Sequence, residues 1–289
     1  MAPPAPGAVL QLLKPVTWFP PMWAYLCGIV SVGGTTPQIG LVLLGLMLAG
    51  PVVCGMSQAA NDWCDREVDR INQPDRPIPS GRVPGRWGLA IALTMTVGAL
   101  ILAWPLGPWG WGATALACLA AWAYSAEPVR LKRSGVWGPG LVGLSYETLP
   151  WITGAAVAAA GAPDARILTV ALLYGIGAHG IMTFNDFKAQ AGDRRTGIRS
   201  LPVMLGPDRA ARVACTVMLM PQAVVVVLLA AWDRPVHAAI VTALCAAQLW
   251  AMRRVLTDPT RLAPWFNGTG VALSVTGMMV AAVALRGLA

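Results

Sequence analysis

Residues 61–82 read NDWCDREVDRINQPDRPIPSGR, and the stretch begins where a long apolar run, 41–62, gives out. Asn61, Asp62, Asp65 and Asp69 stand at i, i+1, i+4 and i+8, which on a helix aligns their side chains along one stripe. Like charges so aligned repel each other unless a cation or a dense set of arginines neutralises them, and hard oxygen donors point to magnesium. Residues 185–206, NDFKAQAGDRRTGIRSLPVMLG, repeat the Asn-Asp pair 124 positions later at the end of another apolar run, with Asp193 two helical turns beyond Asp186. The downstream segments echo too: RPIPSG at 76–81 and RSLPVMLG at 199–206. The recurrence predicts a duplicated unit, with motifs at 61–81 and 185–206, inside one domain covering 1–289, both acidic ends meeting across a shared cavity. Arginines follow each cluster and are suited to grip phosphate oxygens in pairs. Because magnesium is usually held by a few carboxylates together with substrate phosphates, the implied ligand is a diphosphate. The plain alternative is a pair of solvated loops, which recurrence after the same Asn-Asp pair disfavours.

Outward from these motifs, the chain is apolar. Of 289 residues 56% are hydrophobic and 12% charged, about half the usual charged share, which excludes an ordinary soluble domain. Apolar runs near 17–35, 41–62, 87–105, 109–125, 138–160, 167–186, 208–231, 236–252 and 265–285 predict an all-α polytopic membrane protein with nine transmembrane helices. With the amino terminus cytoplasmic and the carboxyl terminus outside, 18 of the 21 basic residues fall on the cytoplasmic face and only Arg166, Arg234 and Arg286 on the other. That split obeys the positive-inside rule. Trp18, Trp87, Trp104, Trp109, Trp111, Trp232 and Trp265 fall near span ends, as an interfacial belt does. The net charge of +8 is therefore a matter of topology rather than of nucleic-acid binding, for which no free basic domain exists. Six scattered cysteines without CxxC spacing argue against a zinc site or disulfide framework. MAPPAPGAVLQLLKP lacks the shape of a cleavable signal peptide, so a retained amino terminus is expected.

At these residues the sequence resembles the UbiA-type intramembrane prenyltransferases, which carry an NDxxDxxxD motif after the second helix and a second aspartate motif after the sixth. Within that superfamily it is most similar to the chlorophyll and bacteriochlorophyll synthases, through DREVDRINQPDRPIPSGR, the second motif, KPVTWFPPMWAY at 14–25 and YSAEPVRLKRSGVWG at 124–138. SYETLPWITG at 145–154 leans toward the bacteriochlorophyll branch. Two departures stand out: Ala191 where those synthases carry an acidic residue before the Gly-Asp of the second motif, and Glu127 where they have proline.

The resemblance implies a magnesium-dependent enzyme of a photosynthetic organism's inner, cytoplasmic or intracytoplasmic membrane, with its helices around a central cavity. It would transfer a geranylgeranyl or phytyl group from its diphosphate to the propionate of chlorophyllide or bacteriochlorophyllide. Asp62, Asp65 and Asp69 would hold one magnesium, Asp186 and Asp193 a second, and Asn61 and Asn185 would orient ligands. Arg66, Arg76, Lys132, Lys188, Arg194 and Arg199 would take up the charge of the departing diphosphate, and Tyr124 would face it. Each of these cations also has a plain reading as a topology determinant.

A carboxylate within a span is costly, so Glu147 reads as a contact for the acceptor. His179, one face with Asp186, is a candidate ligand for the central magnesium of a chlorophyllide, hydrogen-bonded packing being its plain alternative. A propionate, with a pKa about 4.3, is already ionised at neutral pH and needs no strong base. An aromatic carbon acceptor would need a group to take up a proton after attack; no histidine near either motif is an obvious candidate, though an aspartate or the diphosphate itself could serve. The competing readings are a quinone-precursor or haem acceptor, a transporter, and an inactive pigment-binding protein; other pigment-biosynthesis or assembly proteins are possible partners.

Overall fold

The computed structural model describes residues 2–34 and 37–288, and apart from one isolated bridge between Ser134 and Arg199 its regular structure is helical. The first apolar run, 17–35, ends on Thr35, which lies outside the described residues. In chain order the helices are α1 (Pro6–Leu13), α2 (Phe19–Val32), α3 (Ile39–Met47), α4 (Gly55–Cys64), α5 (Arg66–Asn72), α6 (Trp87–Leu102), α7 (Gly107–Ser125) and α8 (Trp137–Gly143). There follow α9 (Leu149–Ala159), α10 (Ala165–Asp186), α11 (Gln190–Thr196), α12 (Leu201–Leu205), α13 (Pro207–Ala231), α14 (Pro235–Val255) and α15 (Pro259–Leu285). Two compact units result, one of Met1–Ile29, Thr36–Leu131 and Leu149–Ala162, the other of Val30–Thr35, Lys132–Thr148 and Pro163–Ala289. The first Asn-Asp motif belongs wholly to the first unit and the second motif to the second.

Each of the nine apolar runs falls on a helical stretch. Among the described residues five stretches are long and apolar enough to cross a membrane: Ile39–Cys64, α10, α13, α14 and α15. This is a multi-pass membrane protein. The helices Trp87–Leu102 and Trp104–Ser125 meet these criteria as a pair, with a 41° bend at the break between them. Trp111 Nε1 donates to the Leu100 carbonyl at 3.0 Å, and Trp122 Nε1 to Thr96 Oγ1 at 3.1 Å. Residues 96 and 122 of one bent rod would lie on the order of 35 Å apart, so α7 runs back along α6 as a hairpin.

The stretch Ile39–Cys64 is not regular throughout. Pro51 has no N–H to donate, and the seven residues Leu48–Cys54 take π-helical turns before α4 resumes. A second π segment, Leu144–Thr148, joins α8 to α9 and carries Glu147.

Small residues let backbones approach closely where lipid offers no hydrophobic drive to association. In the first unit a Cβ on Gly154 would run into the Tyr25 carbonyl, and one on Gly28 into the Trp151 carbonyl. In the second unit a Cβ on Gly143 would collide with the Gly175 carbonyl, while Thr148 Oγ1 donates to Ala171 O at 3.1 Å just beyond. Polar links add to this packing: Gln222 Nε2 donates to Gln248 Oε1 at 2.8 Å and Gln248 Nε2 to Gly270 O at 2.9 Å, joining α13, α14 and α15.

Replacing Gly143 with valine is expected to cost about 1–3 kcal/mol, because the α10 backbone has to withdraw. Its thermal unfolding midpoint in detergent should fall well below that of Gly98→Ala, a position with nothing within 4 Å of the added carbon. Equal midpoints for the two variants would refute the close approach.

Candidate active site

Although α4 ends at Cys64, Asp65 N–H donates to Asn61 O at 2.9 Å and Asp69 N–H to Asp65 O at 2.8 Å, so the helical course continues into α5. Of the expected stripe, Asp62 and Asp69 are brought together on one cation, Arg76. Asp62 is only 1% exposed and Asp69 5%. Buried carboxylates on one stripe need counter-charge, and the chain supplies it from three loops. Lys14, which ends α1 in a left-handed turn at φ 47°, places Nζ 2.7 Å from Asp62 Oδ1. Arg76 Nη1 bridges Asp62 Oδ1 at 3.2 Å and Asp69 Oδ2 at 2.7 Å. Arg130 Nη2 reaches Asp65 Oδ1 at 2.9 Å, while its Nη1 holds Glu127 Oε1, also at 2.9 Å.

Burial pushes the Asp69 carboxyl above the ordinary carboxylate range, even though the Arg76 guanidinium pulls the other way. Asp62 Oδ2 is buried with no hydrogen-bond partner. Among the described residues no three His, Cys, Asp or Glu side chains are grouped so as to hold a metal by themselves. Magnesium does not require such a group, because it keeps waters and substrate oxygens as ligands and takes one or two carboxylates from a protein. An unsatisfied, hard carboxylate oxygen in a cluster otherwise neutralised by cations fits that ion.

The second motif is built differently. Asn185 and Asp186 close α10, and Asn185 Oδ1 accepts from Asn267 Nδ2 of α15 at 2.9 Å. Three residues of turn lead into α11, where Asp193 is 7% exposed and its Oδ2 accepts from Ser200 Oγ at 2.7 Å. Burial raises the Asp193 carboxyl above its ordinary range against the opposing pull of the Ser200 hydroxyl. Ala191 is exposed, and two positions from Asp193 on a helix it points to a nearly opposite side. The departure at Ala191 thus sits on the surface of α11.

Arg199 ties this motif to the loop ahead of α8: its N–H donates to Arg133 O at 2.9 Å, and Gly135 N–H to Arg199 O at 2.8 Å. A Cβ on Gly135 would press on the Leu201 amide and the Arg199 carbonyl, so this crossing needs glycine. Lys132, next to Arg133, is thereby held beside the second motif.

Other expected residues are placed as follows. Arg66 turns back on its own helix, donating to Trp63 O at 2.9 Å with its guanidinium 4.4 Å from the Trp63 ring centre, and its Nε lies 3.7 Å from Glu67 Oε1. Lys188, Arg194 and Arg199 have exposed side chains, and Tyr124 is half-buried next to a buried Ser125. Glu147 is buried in the π segment with Oε2 unpartnered. His179 lies against Gly140, with a buried, unpartnered Nδ1.

Lys14, Arg130, Ser200 and Asn267 belong to the two sites and were not read as such from the sequence. Lys14 and Arg130 stood out only as topology charges, although both lie in segments that carry the family resemblance. Nothing local marks Asn267, which is 82 residues from Asn185.

Removing Arg76 leaves Asp62 and Asp69 short of a shared counter-ion, so Arg76→Ala is expected to cost about 3 kcal/mol in EDTA, the low end for breaking a buried pair. Added magnesium should recover part of the loss, read as the unfolding midpoint of the detergent-solubilised protein with and without the metal. A midpoint that ignores both substitution and metal would count against the cluster as a cation site.

With this geometry established, comparison with known proteins is informative. The profile of the UbiA prenyltransferase family matches residues 20–281. The chain is 68% identical over 286 residues to the bacteriochlorophyll synthase 33 kDa chain of Cereibacter sphaeroides, covering 99% of this chain and 95% of that one. It is 60% identical to the protein of the same description from Rhodobacter capsulatus, with coverage of 98% and 95%. Among solved structures, a UbiA homolog from Archaeoglobus fulgidus bound to DMAPP and Mg2+ superposes with a TM-score of 0.73 at 19% identity, covering 92% of this chain and 98% of that one.

Proposed function

This chain belongs to the UbiA prenyltransferase family, and on that premise we propose that it esterifies the propionate of bacteriochlorophyllide with a geranylgeranyl or phytyl group, releasing diphosphate. The observation that carries the proposal is the 68% identity to a bacteriochlorophyll synthase chain over 99% of this sequence. The finer architecture is part of the same reading: one catalytic domain, nine transmembrane helices around a central cavity, the amino terminus cytoplasmic and the carboxyl terminus outside. The nine helical apolar runs, the α6–α7 hairpin and the lopsided distribution of basic residues support it. The membrane is the inner, cytoplasmic or intracytoplasmic one.

Asp62, Asp65 and Asp69 would hold one magnesium, completed by water and diphosphate oxygens, and Asp186 and Asp193 would hold a second. Magnesium supplies charge neutralisation for the departing diphosphate. The chain's own cations do the rest. Lys14 and Arg76, now on carboxylates, have phosphate oxygens as alternative acceptors, and Lys132, Lys188, Arg194 and Arg199 add positive charge around the second motif. Asn61 and Asn185 orient ligands, the latter steadied by Asn267. Tyr124 faces the diphosphate, while Glu147 and His179 contact the acceptor. The prenyl C–O bond breaks toward the neutralised diphosphate, and the ionised propionate oxygen attacks the allylic carbon without giving up a proton.

Membranes containing the protein, supplied with bacteriochlorophyllide, geranylgeranyl or phytyl diphosphate and magnesium, should yield esterified pigment resolved by chromatography. EDTA should abolish it, and Asp62→Ala should lower turnover by at least about 100-fold, as loss of a transition-state electrostatic contact does. Diphosphate released only with a quinone precursor or haem as acceptor would retain the family chemistry and reject the pigment. No turnover on any acceptor would favour a binding protein or transporter.

A further inference from the structure

Glu127 stands where the resembling synthases have proline, and the structure gives it a partner. The segment after α7 turns so that Arg130 adopts a left-handed backbone, φ 35°, a conformation that costs energy in a residue other than glycine. The turn is closed by Arg130 N–H donating to Ala126 O at 2.8 Å. It aims the guanidinium between two carboxylates, Glu127 on Nη1 and Asp65 on Nη2, both at 2.9 Å. The two acceptors differ in exposure: the Glu127 side chain is 53% exposed and the Asp65 side chain 18%. Arg130 Nε is buried and has no hydrogen-bond partner. Nε and Nη2 form one edge of the planar guanidinium, the two-donor edge that matches a pair of phosphate oxygens. In the present arrangement Asp65 covers half of that edge.

We propose that Glu127 is a positioning residue that holds Arg130 by Nη1, so that when magnesium claims Asp65 the Nε–Nη2 edge is presented to the diphosphate. The inference rests on the diphosphate chemistry assigned to the first motif. Without Glu127 the guanidinium, once displaced from Asp65, has no anchor and loses orientation toward the phosphate. With it, one carboxylate hands the arginine over while the other keeps it in place. The effect is on diphosphate binding, not on bond breaking.

The test is a double-mutant cycle on the membrane-embedded enzyme, with wild type, Glu127→Ala, Arg130→Ala and the double variant, reading KM for geranylgeranyl diphosphate separately from kcat. Glu127→Ala should raise KM roughly 3- to 10-fold, the net scale of one ordinary hydrogen bond, with kcat within about twofold of wild type. Glu127→Gln, which keeps an acceptor but not the charge, should fall between. The double variant should be less impaired than the product of the two single penalties, because the Glu127 effect on the diphosphate passes through Arg130. An unchanged KM in Glu127→Ala, or penalties that multiply in the double variant, would overturn the positioning role. Asp62→Ala separates the two levels: if it is inactive while Glu127→Ala matches wild type, only the positioning role falls. If Asp62→Ala keeps full activity, the diphosphate reading falls and this inference with it.

Discussion

A carboxylate buried where a membrane helix ends is the constraint around which the first unit is organised. Asp62 has almost no contact with solvent, and an isolated charge there would cost several kcal/mol. The chain meets that cost by bringing cations from distant parts of the sequence: Lys14 from the end of α1, and Arg76 from the loop after α5. That demand explains local features with no other evident purpose. The left-handed turn at Lys14 and the loop 73–86 folded back on α4 both deliver a cation to the same stripe. A cluster neutralised this way is balanced without ligand, and in the proposed reaction magnesium would take over the carboxylates and leave Lys14 and Arg76 a diphosphate to bind.

The two π segments modify helices that would otherwise be uniform. At Leu48–Cys54 the irregularity follows from Pro51 and runs directly into α4, the helix that ends in the first motif. An extra residue in a helical turn rotates everything beyond it, so the bulge helps set which side of α4 carries Asp62. At Leu144–Thr148 the segment carries a buried Glu147. Such bulges are frequent at functional sites, and here one sits on the approach to a motif and the other carries a buried carboxylate.

Much of this was legible in the sequence because membrane and charge impose long-period signals. Apolar runs gave the helical stretches, and the spacing of Asn61, Asp62, Asp65 and Asp69 gave their shared face, which survives the change from α4 to α5 since the backbone bonds bridge it. What escaped was the identity of the counter-ions. Lys14–Asp62 spans 48 residues and Arg130–Asp65 spans 65, and pairing at such separations is decided by tertiary packing rather than by periodicity. Arg66, expected to take up diphosphate charge, stacks on Trp63 and donates to its carbonyl along its own helix.

The two motifs, alike in sequence, are electrostatically unlike. In the first, cations are bound into ion pairs with Asp62, Asp65 and Asp69. In the second, Asp193 is held by the neutral Ser200 hydroxyl, and Lys188, Arg194 and Arg199 extend into exposed positions. A hydroxyl compensates a buried carboxylate less than an arginine does, so Asp193 has more to gain from a divalent cation than Asp69, which already shares Arg76. Ala191 fits this division: an acidic residue on the exposed side of α11 would add charge to the surface without touching the buried carboxylate. Loss of that acidic residue therefore leaves the inner carboxylate of the second motif intact, and catalysis would depend on Asp193 far more than on what occupies position 191.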